Sequence, residues 1–160
     1  MNKKNQRGFT FYEVMVTCAI IAILSAIALA AYNKAILYAN ESAAVNTMDE
    51  IKAAQALYKQ QFGGYAADLP TLSAAGMIDA SLLATKHGYD FNISGNSPDP
   101  NTGALLGFEA EGNPHQVGMT GYRSFCTNQD GVMKWANGAL GTAVGICNDL
   151  ITPQDNAGTL

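Results

Sequence analysis

The chain has 160 residues, with thirteen Asp and Glu against nine Lys and Arg, and a formal net charge of −4. That length accommodates one modest domain plus an appended segment. The acidic balance excludes a nucleic-acid binder that works through a basic patch.

The first seven residues, Met1 to Arg7, carry Lys3, Lys4 and Arg7 and no acid. Gly8 to Tyr32 follow, with Glu13 as their single charge. From Glu13 to Lys34 lie 20 consecutive residues without charge, about what a helix needs to cross ~30 Å of hydrocarbon. An ionisable side chain in a membrane helix costs roughly 2.5–3.5 kcal/mol at the bilayer centre, so Glu13 marks a partner. A secretory signal peptide places its cut after the apolar run and discards that run. Here a glycine precedes the run, and a cut between Gly8 and Phe9 removes only the basic leader. Six Lys and Arg then remain against thirteen acids, a net charge of about −7.

From Thr10 to about Phe62 there is neither proline nor glycine, so one helix is expected throughout. Its second half is amphipathic: Ala44, Met48, Ile51, Tyr58 and Phe62 recur at steps of three and four, flanked by Val45 and Leu57. Tyr58, Phe62 and Tyr65 read as core. Gly63-Gly64 stops the helix, and the stretch through Leu72, Met77 and Ile78 reads as a connection with one or two helical turns. After Lys86 the period changes to two. Tyr89, Phe91 and Ile93 alternate with polar residues as a half-buried strand, Gly95 to Gly103 is turn chemistry, and a second strand covers Leu105 to Glu111. Gly121 to Thr127 and Gly131 to Trp135 form a hairpin about Asn128-Gln129-Asp130. The tail, Gly138 to Leu160, reads as irregular. The fold class is α+β: a long N-terminal helix packed on a small antiparallel sheet with one covered face.

The stretch Gly8-Phe-Thr-Phe-Tyr-Glu13 with its apolar continuation resembles the N-terminus of type IV prepilins and the related pseudopilins. Phe11 and Tyr12 stand where that family usually has aliphatic residues, and Ala30 where many relatives have proline. The resemblance implies cleavage by prepilin peptidase between Gly8 and Phe9, N-methylation of Phe9, and a Glu13 that pairs with a Phe9 amine to set subunit register. It implies the pilin fold, divided as leader 1–8, membrane-spanning and later filament-core helix 9–33, amphipathic half-helix 34–62 and globular head 63–160. The segment after the helix and the hairpin Tyr122–Val132 resemble pilins more weakly.

Cys18 lies in the apolar run and behaves as a small hydrophobe. Cys126 and Cys147 are either a bridge or two buried thiols, and the resemblance implies the bridge, outside the cytoplasm where disulfides persist. Further implications are a structural subunit of a type IV pilus, single-pass in the bacterial inner membrane with a cytoplasmic N-terminus before joining an extracellular filament. Its partners are identical and related pilin subunits, the peptidase, the inner-membrane assembly platform and, before assembly, lipid. The alternative is a pseudopilin of a type II secretion system; a membrane-anchored periplasmic domain of other function ranks third.

No catalytic constellation, nucleotide loop or cofactor motif is legible, so no enzyme, cofactor or metal is expected. His87 and His115 read as surface residues. Asp99, Asn101 and Gly103 are a fragment of calcium-loop spacing without the closing carboxylate. Arg123 reads as half of a structural ion pair with Asp130 or Glu109.

Overall fold

The structure is a computed structural model that describes residues 8–140, 147 and 157–159. The leader charges Lys3, Lys4 and Arg7, and all of the tail except Gly138 to Leu140, Cys147 and Ala157–Thr159, lie outside the described residues. Two compact units are present, Met1–Ile36 and Leu37–Leu160.

Helix α1, Phe11–Phe62, contributes to both. It runs unbroken because no proline or glycine interrupts it. It stops where Gly63 takes φ +82° and donates its N–H to the Lys59 carbonyl at 2.9 Å. A left-handed residue just past a helix end satisfies a terminal carbonyl, and glycine adopts that conformation without a Cβ penalty. In the first unit α1 carries no charge between Glu13 and Lys34, is long and apolar enough to cross a membrane, and is exposed along its described side chains.

In the second unit the buried line along α1 is Leu37, Glu41, Ala44, Met48, Ile51, Ala54 and Gln55. These steps of three and four put one stripe against the sheet. Phe62, expected on that stripe, and Leu57, expected to flank it, are exposed. Leu57 falls one residue short of the seam that passes through Ala54 and Tyr58. Phe62 stacks on Tyr58, with ring centroids 4.4 Å apart. The connection forms helix α2, Leu69–Ala74, and a 3-10 turn over Ala80–Leu83. Asp68 and Asp79 cap them by accepting from the Thr71 and Ser81 N–H groups at 2.9 and 2.7 Å.

Five strands follow in an antiparallel sheet of order β1-β2-β3-β4-β5: β1 Tyr89–Pro98, β2 Leu105–Pro114, β3 Arg123–Asn128, β4 Lys134–Asn137 and β5 Ala157–Thr159. Phe108, Ala110 and Phe125 join Ala44, Met48 and Ile51 in one core. The expected starts of β1 and β2 and the β3–β4 hairpin are present, with β3 and β4 beginning at Arg123 and Lys134 rather than at Gly121 and Gly131, and three further features differ. First, β1 continues through Gly95 to Pro98 instead of turning. Gly95 donates to the Ala67 carbonyl at 2.9 Å, and a Cβ there would stand 2.9 Å from Ala67 Cα. This glycine serves a close backbone approach, not a turn. Second, the tail adds strand β5, paired as Lys134↔Thr159 and Ala136↔Ala157. Third, both faces of the sheet are covered at its centre. The cross-strand row Glu111↔Cys126↔Lys134 lies opposite the Phe108 and Phe125 face, and all three residues are buried.

Candidate functional site

The site begins at the start of α1. Thr10 is its N-cap: the Glu13 N–H donates to the Thr10 hydroxyl at 3.3 Å. In return, Glu13 Oε2 accepts from both the Thr10 N–H and the Thr10 hydroxyl, each at 2.8 Å. This is a reciprocal capping box, and it satisfies amide donors that no helical carbonyl reaches. Thr10 was not among the residues expected to matter, although Thr-x-x-Glu at 10–13 is the local signal for it. Both capping bonds fall on Oε2. Phe9, Phe11 and Tyr12 around the box are strongly exposed, and the space where a Gly8 Cβ would stand is open.

Downstream, the hydroxyls of the charge-free run turn back onto their own helix. Thr17 donates to the Val14 carbonyl at 2.8 Å and Ser25 to the Ile21 carbonyl at 2.7 Å. Neither needs water, which suits a segment surrounded by hydrocarbon or by other apolar helices. Val14, Met15, Ile20, Ile21, Ile23 and Leu24 all face outwards. A contiguous apolar surface of this kind belongs to a membrane or to a partner. Cys18 is a free, exposed thiol on the same surface.

In the head, Arg123 pairs with neither Asp130 nor Glu109. Its Nη2 and Nε lie 2.7 and 2.8 Å from Glu41 Oε2 on α1. Glu41 Oε1 accepts from the backbone N–H groups of Tyr122 and Arg123 at 2.9 and 3.2 Å. The reason is alternation along β3. Arg123 shares the helix-facing side with Phe125, whereas Glu109 sits on the strand position between Phe108 and Ala110 and faces the other way. Asp130, in the hairpin turn, is instead bonded to Asn128. The guanidinium also stands 5.7 Å from the Phe125 ring and 5.6 Å from Trp135. Tyr89 donates to the Arg123 carbonyl at 2.7 Å. Burial pushes the Tyr89 phenol well above its ordinary range, and the Glu41 carboxylate adds to that.

On the opposite face Cys126 and Cys147 form a disulfide with Cα atoms 5.7 Å apart, inside the normal span for a bridge. Lys134 Nζ donates to the Cys147 carbonyl at 2.7 Å. His115 is exposed, with Nδ1 2.8 Å from Asp90 Oδ2. The Thr85 hydroxyl, and after it His115, hold the Asp90 carboxyl below its usual range. The Asp99 carboxylate caps its own turn, accepting from the Asn101 N–H at 2.9 Å and the Thr102 hydroxyl at 2.7 Å. Among the described residues no three His, Cys, Asp or Glu side chains converge on a possible metal position.

Residues 3–29 match the family described as the prokaryotic N-terminal methylation motif. The chain is 37% identical over 83 residues to fimbrial protein EcpC of Eikenella corrodens, covering 52% of this chain and 54% of that protein. It is 37% identical over 103 residues to the type IV major fimbrial protein FimA of Dichelobacter nodosus, covering 62% of this chain and 64% of that one. The chain thus spans between half and two thirds of the length of these relatives. The motif lies at the start of the capped apolar helix, and over the aligned residues the chain is similar to these type IV fimbrial proteins.

Proposed function

We propose that this protein is a structural subunit of a type IV pilus. It is made with leader 1–8, cut by prepilin peptidase between Gly8 and Phe9, and N-methylated on Phe9. Before assembly the segment 9–33 spans the inner membrane with its N-terminus in the cytoplasm. An assembly platform then moves it into an extracellular filament of like subunits, where 9–33 forms the core and the acidic heads, 63–160, form the outside with the half-helix 34–62. Glu13 fixes axial register by pairing with the Phe9 amine of a neighbour. Because the capping bonds use Oε2, Oε1 is the atom offered to that amine. The role is structural, not catalytic.

The observation that carries this reading is a 20-residue charge-free helical run that begins within the methylation motif and whose large apolar side chains are exposed. Burial of that surface against neighbouring helices supplies the driving force for polymerisation. The test is mass spectrometry of the mature chain together with imaging of fibres from Glu13→Ala cells. A product beginning at N-methylated Phe9, with the variant still membrane-inserted but poor in fibres, is expected. A product that begins beyond Tyr32 overturns the proposal, and normal fibre yield from Glu13→Ala removes the register role.

A further inference from the structure

The β2–β3 loop, residues 115–122, carries an apolar surface that the subunit itself does not use. Met119 is 73% exposed, Tyr122 53% and Val117 51%. Their loop is well built: Gly118 donates to the Gly121 carbonyl at 2.8 Å, Val117 bridges Gly121, and the Tyr122 ring edge lies 3.7 Å from the position of a Gly118 Cβ. The loop is tied to α1 at two points. Asn40 Nδ2 donates to the Thr120 carbonyl at 3.0 Å, and Glu41 holds the Tyr122 N–H. Tyr38, also exposed, stands one turn before Glu41 on the same helix.

Asn40 is six residues from Lys34, the first charge after the apolar run. Six residues cannot separate two points by more than about 20 Å even when fully extended, and as helix they rise about 9 Å. The headgroup layer beyond the hydrocarbon is itself roughly 5–8 Å deep on each side. The short chain from Lys34 to Asn40, with the hydrogen bonds that tie Thr120 and Tyr122 to Asn40 and Glu41, therefore keeps the loop's attachment close to the membrane surface for as long as the run is inserted. Composition agrees with that position. Residues 112–122 contain no acid, Lys or Arg in an otherwise acidic protein. The two acids that bond to the loop are also engaged elsewhere, Glu41 by Arg123 and Asp90 by Thr85. Tyrosines and apolar side chains without carboxylates are the composition that partitions to a bilayer interface.

We propose that before assembly the loop, through Val117, Met119 and Tyr122 with Tyr38, rests in the lipid headgroup layer and holds the head down on the bilayer. This rests on the reading of 9–33 as a membrane span. Leaving the membrane then strips lipid from a surface that becomes available to other subunits.

The test uses the full chain with Cys18→Ser, reconstituted in phosphatidylethanolamine–phosphatidylglycerol vesicles. A nitroxide is placed singly by Ile23→Cys in the apolar run, Met119→Cys in the loop, or Asn101→Cys in the β1–β2 turn. The ten-residue strand β2 separates the last two sites by about 30 Å. Collision with oxygen, which concentrates in lipid, is compared with collision with a water-soluble nickel chelate. The oxygen-to-nickel ratio is expected to be highest at position 23, intermediate at 119 and lowest at 101, with 119 several-fold above 101. Val117→Cys is expected to repeat the value at 119. If 119 and 117 match 101 while 23 stays lipid-buried, the loop proposal alone is overturned. If 23 also matches 101, the span and the loop proposal fall together. Spin–spin broadening at 119 that grows with protein-to-lipid ratio assigns the surface to a second copy and overturns the lipid reading.

Discussion

Replacing Glu41 with alanine strips four donors of their acceptor at once: the Nε and Nη2 of Arg123 and the N–H groups of Tyr122 and Arg123. Glu41 is 2% exposed, whereas the Arg123 side chain is 33% exposed. Breaking a buried ion pair from one side costs about 3–5 kcal/mol. Water reaches the guanidinium and recovers part of that, but the two orphaned amides add to it at about 1–3 kcal/mol each where water does not reach them. A loss of about 3–4 kcal/mol follows for Glu41→Ala. Arg123→Met keeps the stem against Phe125 and Trp135 and leaves Glu41 its two amides, so about 2 kcal/mol is expected. Trp135 is the one tryptophan and lies beside Arg123, so its fluorescence follows urea unfolding of the full chain in detergent micelles. With a slope of ~1–3 kcal/mol per molar urea, Glu41→Ala lowers the midpoint by about 2 M. The cycle completed by Glu41→Ala with Arg123→Met measures the coupling, expected at about 1–3 kcal/mol. Coupling within ~0.5 kcal/mol of zero refutes the claim that this pair clamps the helix to the sheet.

Opening the Cys126–Cys147 bridge, which has a sequence separation of 21, costs about 3 kcal/mol on the chain-entropy account. Thermal unfolding with and without reductant, beside the Cys126→Ser/Cys147→Ser double variant, checks it. Glu111 is pushed above the ordinary glutamate range by burial, aided by the nearby Glu109 charge, so its ionisation opposes folding. That penalty is complete above the folded-state pKa and absent below the unfolded one. Glu111→Gln should therefore raise the urea midpoint at pH 7, with the difference fading near pH 4; a lowered midpoint at pH 7 refutes the sign. Asp68 and Asp99 run the other way, their carboxyls lowered chiefly by the Thr71 hydroxyl and by the Asn101 N–H. The stability they confer is present above the unfolded Asp range and is lost as pH falls through their folded values. Asp68→Asn should flatten the acid limb of a stability–pH curve. Gly95→Ala forces a methyl towards Ala67 Cα and should cost about 1–3 kcal/mol, read as a lowered melting temperature; an unchanged one refutes the close approach.

The chain by itself determined whatever is written in near neighbours. Uninterrupted residues from Thr10, the charge-free run and Gly63 define one helix and its end, and alternation at Tyr89, Phe91 and Ile93 defines a strand, because helix and strand periodicities are local. The capping box was equally local, with both partners within one turn. What only the tertiary structure decided depends on register between distant segments. Arg123 has acids nearer in sequence than Glu41, 82 residues away, and only the face that β3 presents to α1 selects between them. Gly95 lies in a run of turn residues, yet Ala67 makes it a strand glycine. The tail reads as irregular until β4 offers an edge for Ala157–Thr159 to pair with. A charge, a glycine or a short polar run is compatible with many neighbours, and only packing chooses which one it meets.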